Sequence, residues 1–389
     1  MSSRRSSSSY NRRRLRGLEP RSIVRESRAS VLPDSARPTS SRLNGDSPTV
    51  EIDWSPAYEL LLCLLEFGYG RYGLGFPGVS EWHSAMCARL SADVASAFDE
   101  LSPRCWLWHG LLFLAREMRS RRQSLHAPQF IEQLRSMGDQ QLYEYILGCR
   151  GDSGSITPGL VQEAVSGNST ARLQIGKALF PDEPAEDREM VRFLAMPPRR
   201  VKELLVRIVN GWYMELFRSE ERELAVRLAS DARIKRIIGG SAPSRLLRAS
   251  AIGIHYLPRR AVKCILLVPS IICRPSIVTI RFEQTRFFFY PMPDELPDGA
   301  EVPAKLVKVH RALADEGRLR ILRSLVHTDK TAESLSRDLG QSAQSLVSQL
   351  IILRDAGLVT LRMDERRMSF EIRQALPSDI FRTLQTYLQ

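Results

Sequence analysis

The side chains best suited to recognising another molecule lie near the C-terminus of this 389-residue chain. Gln344, Ser345, Ser348 and Gln349 gather amides and hydroxyls into one short stretch, and Arg362, Arg366 and Arg367 come soon after. Amides and hydroxyls hydrogen-bond base edges, and a glutamine paired bidentately with adenine is worth about 1–3 kcal/mol of discrimination. Arginines neutralise phosphates, which makes binding fall steeply with salt. On a helix without a partner the same residues form an ordinary solvated face, so the elements that carry them decide between the two readings.

The rest of the chain offers little chemistry. His83, His109, His126 and His255 are far apart in sequence, none at metal-ligand spacing from another, and no metal is assigned. Gly68, Gly70 and Gly73 fit G-x-G-x-x-G, with Asp93 downstream. The dinucleotide fingerprint, however, needs a strand before the glycines and a helix opening on them. Here the preceding residues have helical spacing, and Gly75, Pro77 and Gly78 would break a helix opening there, so the glycines are read as a loop between helices. The six cysteines, at 63, 87, 105, 149, 264 and 273, form no C-x-x-C and read as reduced core thiols of a cytoplasmic protein. Trp82, Trp106, Trp108, Phe113 and Tyr143 could line an apolar pocket, but their helical spacing favours ordinary core. No nucleophile–base pair or paired-carboxylate motif appears, so no catalytic residue and no cofactor is assigned, and the chain is read as a non-enzyme.

Residues 303–389 supply the frame for the polar cluster. Leu306, Val309, Leu313 and Ala314 give one apolar helical face. Asp315 can cap a second helix carrying Leu319, Ile321, Leu322 and Leu325. Thr331 precedes a third helix with Leu335 and Leu339, stopped by Gly340. Ser342 can cap a fourth, in which Leu346, Leu350 and Leu353 face inward and Gly357 ends the run. Two helices joined by so short a glycine-containing turn predict a helix-turn-helix. Val359, Leu361 and Met363 alternate, Asp364-Glu365 interrupt, and Met368, Phe370 and Ile372 alternate again. That predicts a hairpin with the three arginines near its tip, and hence a winged helix. A last helix after Pro377, with Ile380, Phe381, Leu384 and Leu388 on one face, completes it.

From Trp54 to about Arg248 the pattern is helical: Tyr58, Leu61, Leu62 and Leu65 recur at three- and four-residue spacing, and similar stripes run from Val201 to Phe217. Around residue 250 short β-branched and aromatic runs punctuated by prolines predict strands. The predicted class is mainly α with a small β component: a helical domain over 51–298 ending in a few strands near 251–290, then the winged helix over 303–389. Residues 1–50, rich in Ser and Arg, are predicted to be a disordered tail. A transit peptide, a phosphate-attracted arm and a translation start nearer Val50, with no selected function in the tail, are all compatible with it. No apolar run approaches the roughly 18 residues needed to cross a bilayer.

The formal charge of +12 divides unevenly. Residues 1–50 hold 11 arginines against 4 acids, 51–302 hold 31 basic against 30 acidic, and 303–389 hold 14 against 10. This excludes a uniformly basic DNA coat and leaves a basic module attached to a neutral one.

Ala312-Leu313-Ala314-Asp315, then Arg318-Leu319-Arg320-Ile321-Leu322, then Leu350 to Leu353-Arg354-Asp355-Ala356-Gly357-Leu358-Val359, and finally Arg366-Arg367, resemble the signatures of the ArsR family of bacterial winged-helix regulators in order and spacing. The preceding domain, with Val268-Pro269-Ser270 and Arg274-Pro275, resembles an uncharacterised extension found in a subset of such regulators. The resemblance implies a homodimeric repressor at inverted repeats of duplex DNA. Its dimer interface would use the first and last helices of the module: Leu306, Val309, Leu313, Ile380, Leu384 and Leu388. Many members sense metals through a Cys-x-Cys pair; here Thr331 and Glu333 hold those places, and of the last helix's metal-binding acids and histidines only Asp379 is present. Metal sensing of that kind is therefore not expected. Ala343 and Val347 replace more polar residues of the common pattern. The expected partners are double-stranded DNA, a second copy and an unknown small-molecule effector, with no membrane; 51–298 would modulate the module through a ligand, a partner or dimer contacts. The alternative is an enzyme or small-molecule-binding protein in 51–298, with the winged helix as a protein-interaction module. A deep pocket with convergent titratable groups would favour it.

Overall fold

A computed structural model describes residues 24–26, 48–71, 79–101, 105–122, 124–148, 156–180, 184–239, 254–256, 262–273, 277–282, 284–292, 304–363 and 368–373. The expectations for Gly73, Arg366, Arg367, Ile380, Leu384 and Leu388, and for most of the 1–50 tail, lie outside these residues.

The first half is helical: α1 (Pro56–Arg71), α2 (Val79–Arg89), α3 (Ala92–Leu101), α4 (Cys105–Ser120), α5 (Ala127–Ser136), α6 (Asp139–Gly148), α7 (Pro158–Val165), α8 (Ser169–Leu179), α9 (Pro184–Ala195), α10 (Pro198–Trp212) and α11 (Glu221–Gly239). Leu60, Leu61, Leu62, Leu64 and Leu65 of α1 are all buried, the mark of a helix enclosed on nearly every side. α10 is two-faced: Val201, Leu204, Leu205, Ile208, Val209 and Trp212 recur at three- and four-residue spacing and point inward. Pro197-Pro198 separates α9 from α10, because a proline cannot continue the helix that precedes it but fits the first turn of the next. The stripe predicted to run unbroken from Val201 to Phe217 changes pitch at Tyr213–Phe217, one π-helical turn. Gly110 lets α4 and α6 touch: a Cβ there would sit 2.6 Å from the Cα of Ile146.

Among the described residues eight strands form two sheets: β1 (Val24–Glu26), β2 (Thr49–Ile52), β3 (Ile254–Tyr256), β4 (Cys264–Ser270), β5 (Ile277–Phe282), β6 (Thr285–Pro291), β7 (Val359–Met363) and β8 (Met368–Ile372). The larger sheet has the order β1-β5-β6-β4-β2, antiparallel only between β5 and β6. Its strands alternate between two cores. Leu266, Val268, Val278, Ile280, Phe287 and Phe289 face the helical bundle. Ile265, Leu267, Ile277, Phe288 and Tyr290 face the opposite way, into a core shared with Ala232 of α11 and with the C-terminal module. A sheet buried on both faces needs apolar residues at consecutive positions, which is why Cys264–Val268 and Phe287–Tyr290 are continuous apolar runs.

Three strands depart from the sequence reading. Thr49–Ile52, at the end of the expected tail and outside the expected strand region, pairs in parallel with Cys264–Leu267. Val24–Glu26, inside the stretch expected to be disordered, pairs with Ile277–Thr279; its β-branched Val24 suits a ladder that the composition of the surrounding tail obscures. Ile254–Tyr256, expected to help close the helical domain, instead joins the hairpin of the C-terminal module, giving the order β3-β7-β8.

Candidate nucleic-acid interface

The C-terminal module is built from α12 (Ala304–Leu313), α13 (Glu316–Ser324), α14 (Ala332–Leu339) and α15 (Ala343–Asp355), followed by β7 and β8. The two predicted side-chain caps, Asp315 and Ser342, form, and Thr331 adds a third. Asp315 Oδ1 accepts the Arg318 N–H at 2.9 Å, Thr331 Oγ1 that of Ser334 at 3.2 Å, and Ser342 Oγ that of Ser345 at 3.2 Å. These satisfy amides that a helix start would otherwise leave unbonded. Gly340 ends α14 at φ 63°, a left-handed conformation that favours glycine, and the turn is closed by Ser336 Oγ donating to the Gln341 carbonyl at 2.6 Å. Leu335, Leu346, Leu350 and Leu353 are fully buried and hold the two helices together.

The hairpin pairs Leu361 with Phe370 and Met363 with Met368. Val359, Leu361 and Met363 point into the core, while Thr360 and Arg362 are half-buried on the other face. Arg362 Nη1 lies 3.7 Å from Glu371 Oε2. A single bridge between Lys330 and Phe370 ties β8 to the segment between α13 and α14.

The predicted contact residues do not all present themselves alike. Gln344 stands in the first turn of α15, Ser345 is exposed and Ser348 half-buried. Gln349 is turned inward: its Oε1 accepts from Arg318 Nη1 at 3.3 Å. Gln349 is half-buried, as Ser348 is, and through this bond it meets α13. Arg318 itself escaped notice as a structural hub. Its Nε and Nη2 donate to the carbonyls of Ala312 and Arg311 at 2.6 and 2.9 Å, capping the C-terminus of α12. The signal was present in the spacing: an arginine just past a helix end reaches back to that helix's last carbonyls.

Leu306 and Val309, expected at a dimer interface, are 6% and 5% exposed, buried within the protomer on the inner stripe of α12. Leu313 is half-buried, and the outward face of α12 carries His310 and Arg311. Leu319 is 47% exposed, because only the neighbouring stripe of α13 with Ile321 and Leu322 turns inward. Arg354 of α15 is 2% exposed, and burial pushes its pKa down to about 10. Arg337, which the sequence reading passed over, is exposed in the last turn of α14 beside the turn.

In the N-terminal half, a groove of about 530 Å³ is lined by Arg135, Asp139, Arg199, Lys202, Glu203, Val206 and Arg207. Its charges engage one another or near neighbours: Arg199 Nε with Glu203 at 3.1 Å, Lys202 Nζ with Asp139 at 3.9 Å, Arg207 Nη1 with Asp93 at 3.1 Å, and Arg135 Nη2 with Asn210 at 2.9 Å. Trp108 and Tyr143 are buried core, and Trp82 and Phe113 pack against it. Gly68 and Gly70, expected in a loop between helices, lie instead inside α1, and neither stands at a strand-to-helix turn. Among the described residues no group of three or more His, Cys, Asp and Glu could hold a metal ion, and no helix is long and apolar enough to cross a membrane.

Residues 315–360 match the family described as bacterial regulatory protein, arsR family. Two uncharacterized HTH-type transcriptional regulators of Mycobacterium tuberculosis, from strains CDC 1551 / Oshkosh and ATCC 25618 / H37Rv, are each 41% identical to this chain over 63 residues. The match covers 16% of this chain and 55% of each relative, so the chain spans about half the length of the curated relatives it matches. No solved structure matches the chain. The C-terminal module is thus an arsR-type helix-turn-helix domain.

Proposed function

We propose that the chain is a sequence-specific DNA-binding transcriptional regulator, a homodimeric repressor of cytoplasmic location whose N-terminal half governs its binding. The observation that carries this reading is the pair α14 and α15: two capped helices joined at a left-handed glycine, with Ser345 exposed at the start of the second and a hairpin after it. Such a second helix lies in the major groove with its early residues at base edges. Gln344, Ser345 and Ser348 then read bases, Arg362, Arg366 and Arg367 hold phosphates, and Arg337 adds a phosphate contact from α14. Gln349 serves instead to fix α15 against α13.

In the dimer, Leu313 joins Ile380, Leu384 and Leu388 at the interface, and the two modules read half-sites roughly 34–36 Å apart or a multiple of it. The reading assigns no reaction and no cofactor to 51–298, which would take a small-molecule effector. It also assigns no metal, since the Thr331 oxygen is occupied in capping α14. Footprinting of the purified protein across genomic DNA tests it. The expected result is a discrete inverted-repeat motif at promoters; protection scattered without a shared motif would overturn sequence-specific regulation.

A further inference from the structure

The outer edge of the wing is covered by a strand from outside the C-terminal module. Ile254, His255 and Tyr256 pair in parallel with Leu361, Arg362 and Met363. Three residues make too short a strand to hold themselves in place, and parallel pairing is the less stable kind. What holds β3 is the Tyr256 side chain, 3% exposed, whose ring meets that of Phe288 edge-on at 5.0 Å between centroids and 67° between planes. The guanidinium carbon of Arg286 lies 5.9 Å from the same centroid. Both partners sit on β6, paired on either side by β4 and β5, the most enclosed strand of the larger sheet.

Tyr256 thus belongs to the wing by its backbone and to the central sheet by its ring. Its ladder partner Met363 is the last residue of β7, directly before Asp364 to Arg367, and is fully buried. On the opposite edge, β8 is tied by Lys330. The hairpin is therefore held on both sides, by its own module on one and by the N-terminal half on the other.

We propose that Ile254–Tyr256 sets the position of the wing on DNA, with Tyr256 a positioning residue for the phosphate contacts of the hairpin tip. The proposal rests on the DNA-binding reading above. The larger sheet and the wing then move as one unit, and whatever shifts β6 reaches the DNA through this ring contact. Covering β7 also removes a free strand edge on which another chain would pair.

The test uses the full chain and a mixed-sequence duplex, with affinity measured across a salt series. Tyr256→Ala is expected to bind about tenfold more weakly and to lose about one unit of salt slope, the share of one phosphate contact. Tyr256→Phe, which keeps the ring, is expected to restore both. In an Arg366→Ala/Arg367→Ala background, Tyr256→Ala should cost nothing further, because groups acting through one another are not additive. Wild-type affinity and slope in Tyr256→Ala, failure of Tyr256→Phe to restore them, or a fully additive loss in the wing background would each overturn the proposal. Where Tyr256→Ala does not fold, hydrogen exchange on the wild-type chain decides. Amides of β3 and β7 opening together support the link, and independent opening overturns it. A wild-type chain that binds no duplex sinks the DNA reading alone, and the exchange experiment still judges the strand link.

Discussion

Arg318 Nη1 donates to Gln349 Oε1 across 3.3 Å while the same guanidinium closes the C-terminus of α12. One side chain therefore sets the angle between α12, α13 and the helix proposed to read DNA. Arg318→Ala should lower stability by about 2–3 kcal/mol, since it strands two carbonyls and an amide oxygen. Arg318→Lys should recover less than half of that, because an ammonium has no planar fork. Urea denaturation measures both; a lysine variant as stable as wild type would show that the fork is not used.

The same contact separates two kinds of polar residue on α15. Gln349→Ala should leave the profile of preferred bases unchanged. Ser348→Ala or Gln344→Ala should relax it at particular base pairs, by about 1–3 kcal/mol each. Selection of bound sequences from a random pool gives the comparison. The opposite pattern would mean that Gln349 leaves Arg318 when DNA binds.

Gly110→Ala should be costly for a different reason. The new Cβ would lie 2.6 Å from the Cα of Ile146 and 2.7 Å from the carbonyl oxygen of Tyr145, and neither backbone atom can swing aside. Separating α4 from α6 should cost about 2–3 kcal/mol. Gly138→Ala, with nothing within 4 Å of its Cβ, should stay within about 0.5 kcal/mol of wild type. Equal melting behaviour of the two variants would argue against so close a helix contact.

Asp315, Thr331, Ser342, Gly340 and Gly357 made the helix ends of the C-terminal module legible in the sequence because caps are local: the residue that bonds the backbone lies within a few positions of it. The two-residue alternation of Val359, Leu361 and Met363 located the wing for the same reason. The pairing of Tyr256 with Met363 was hidden, since two strands about a hundred residues apart carry no mark of each other in their own spacing. Leu306 and Val309 misled in a related way: an apolar stripe says that a helix face is covered, not whether by its own chain or a second copy. The turning of Gln349 toward Arg318 likewise depends on how α13 crosses α15, which periodicity leaves open.

The core beneath the wing contains a buried charge pair. Lys235 Nζ lies 2.8 and 3.0 Å from the Asp231 oxygens and 4.1 Å above the Tyr290 ring, and the Tyr290 hydroxyl donates to Asp231 at 2.6 Å. Asp231→Ala should cost about 3–5 kcal/mol by leaving an uncompensated buried ammonium. Burial draws the Lys235 pKa below its usual value, against the pull of Asp231. Between the folded and unfolded values the unfolded chain binds more protons, so this lysine adds stability as pH rises through its folded value and none at neutral pH. The stability of wild type relative to Lys235→Met should therefore increase on going to alkaline pH. A difference independent of pH, or one that shrinks, would contradict that sign.

The most direct test of the winged helix as the DNA-binding element is equilibrium binding of the full chain to duplex DNA over a salt series, beside Arg366→Ala/Arg367→Ala. The expected wild-type result is log affinity falling linearly with log salt. The variant should bind every sequence more weakly and lose about two units of slope. Unchanged affinity and slope in the variant would contradict the account.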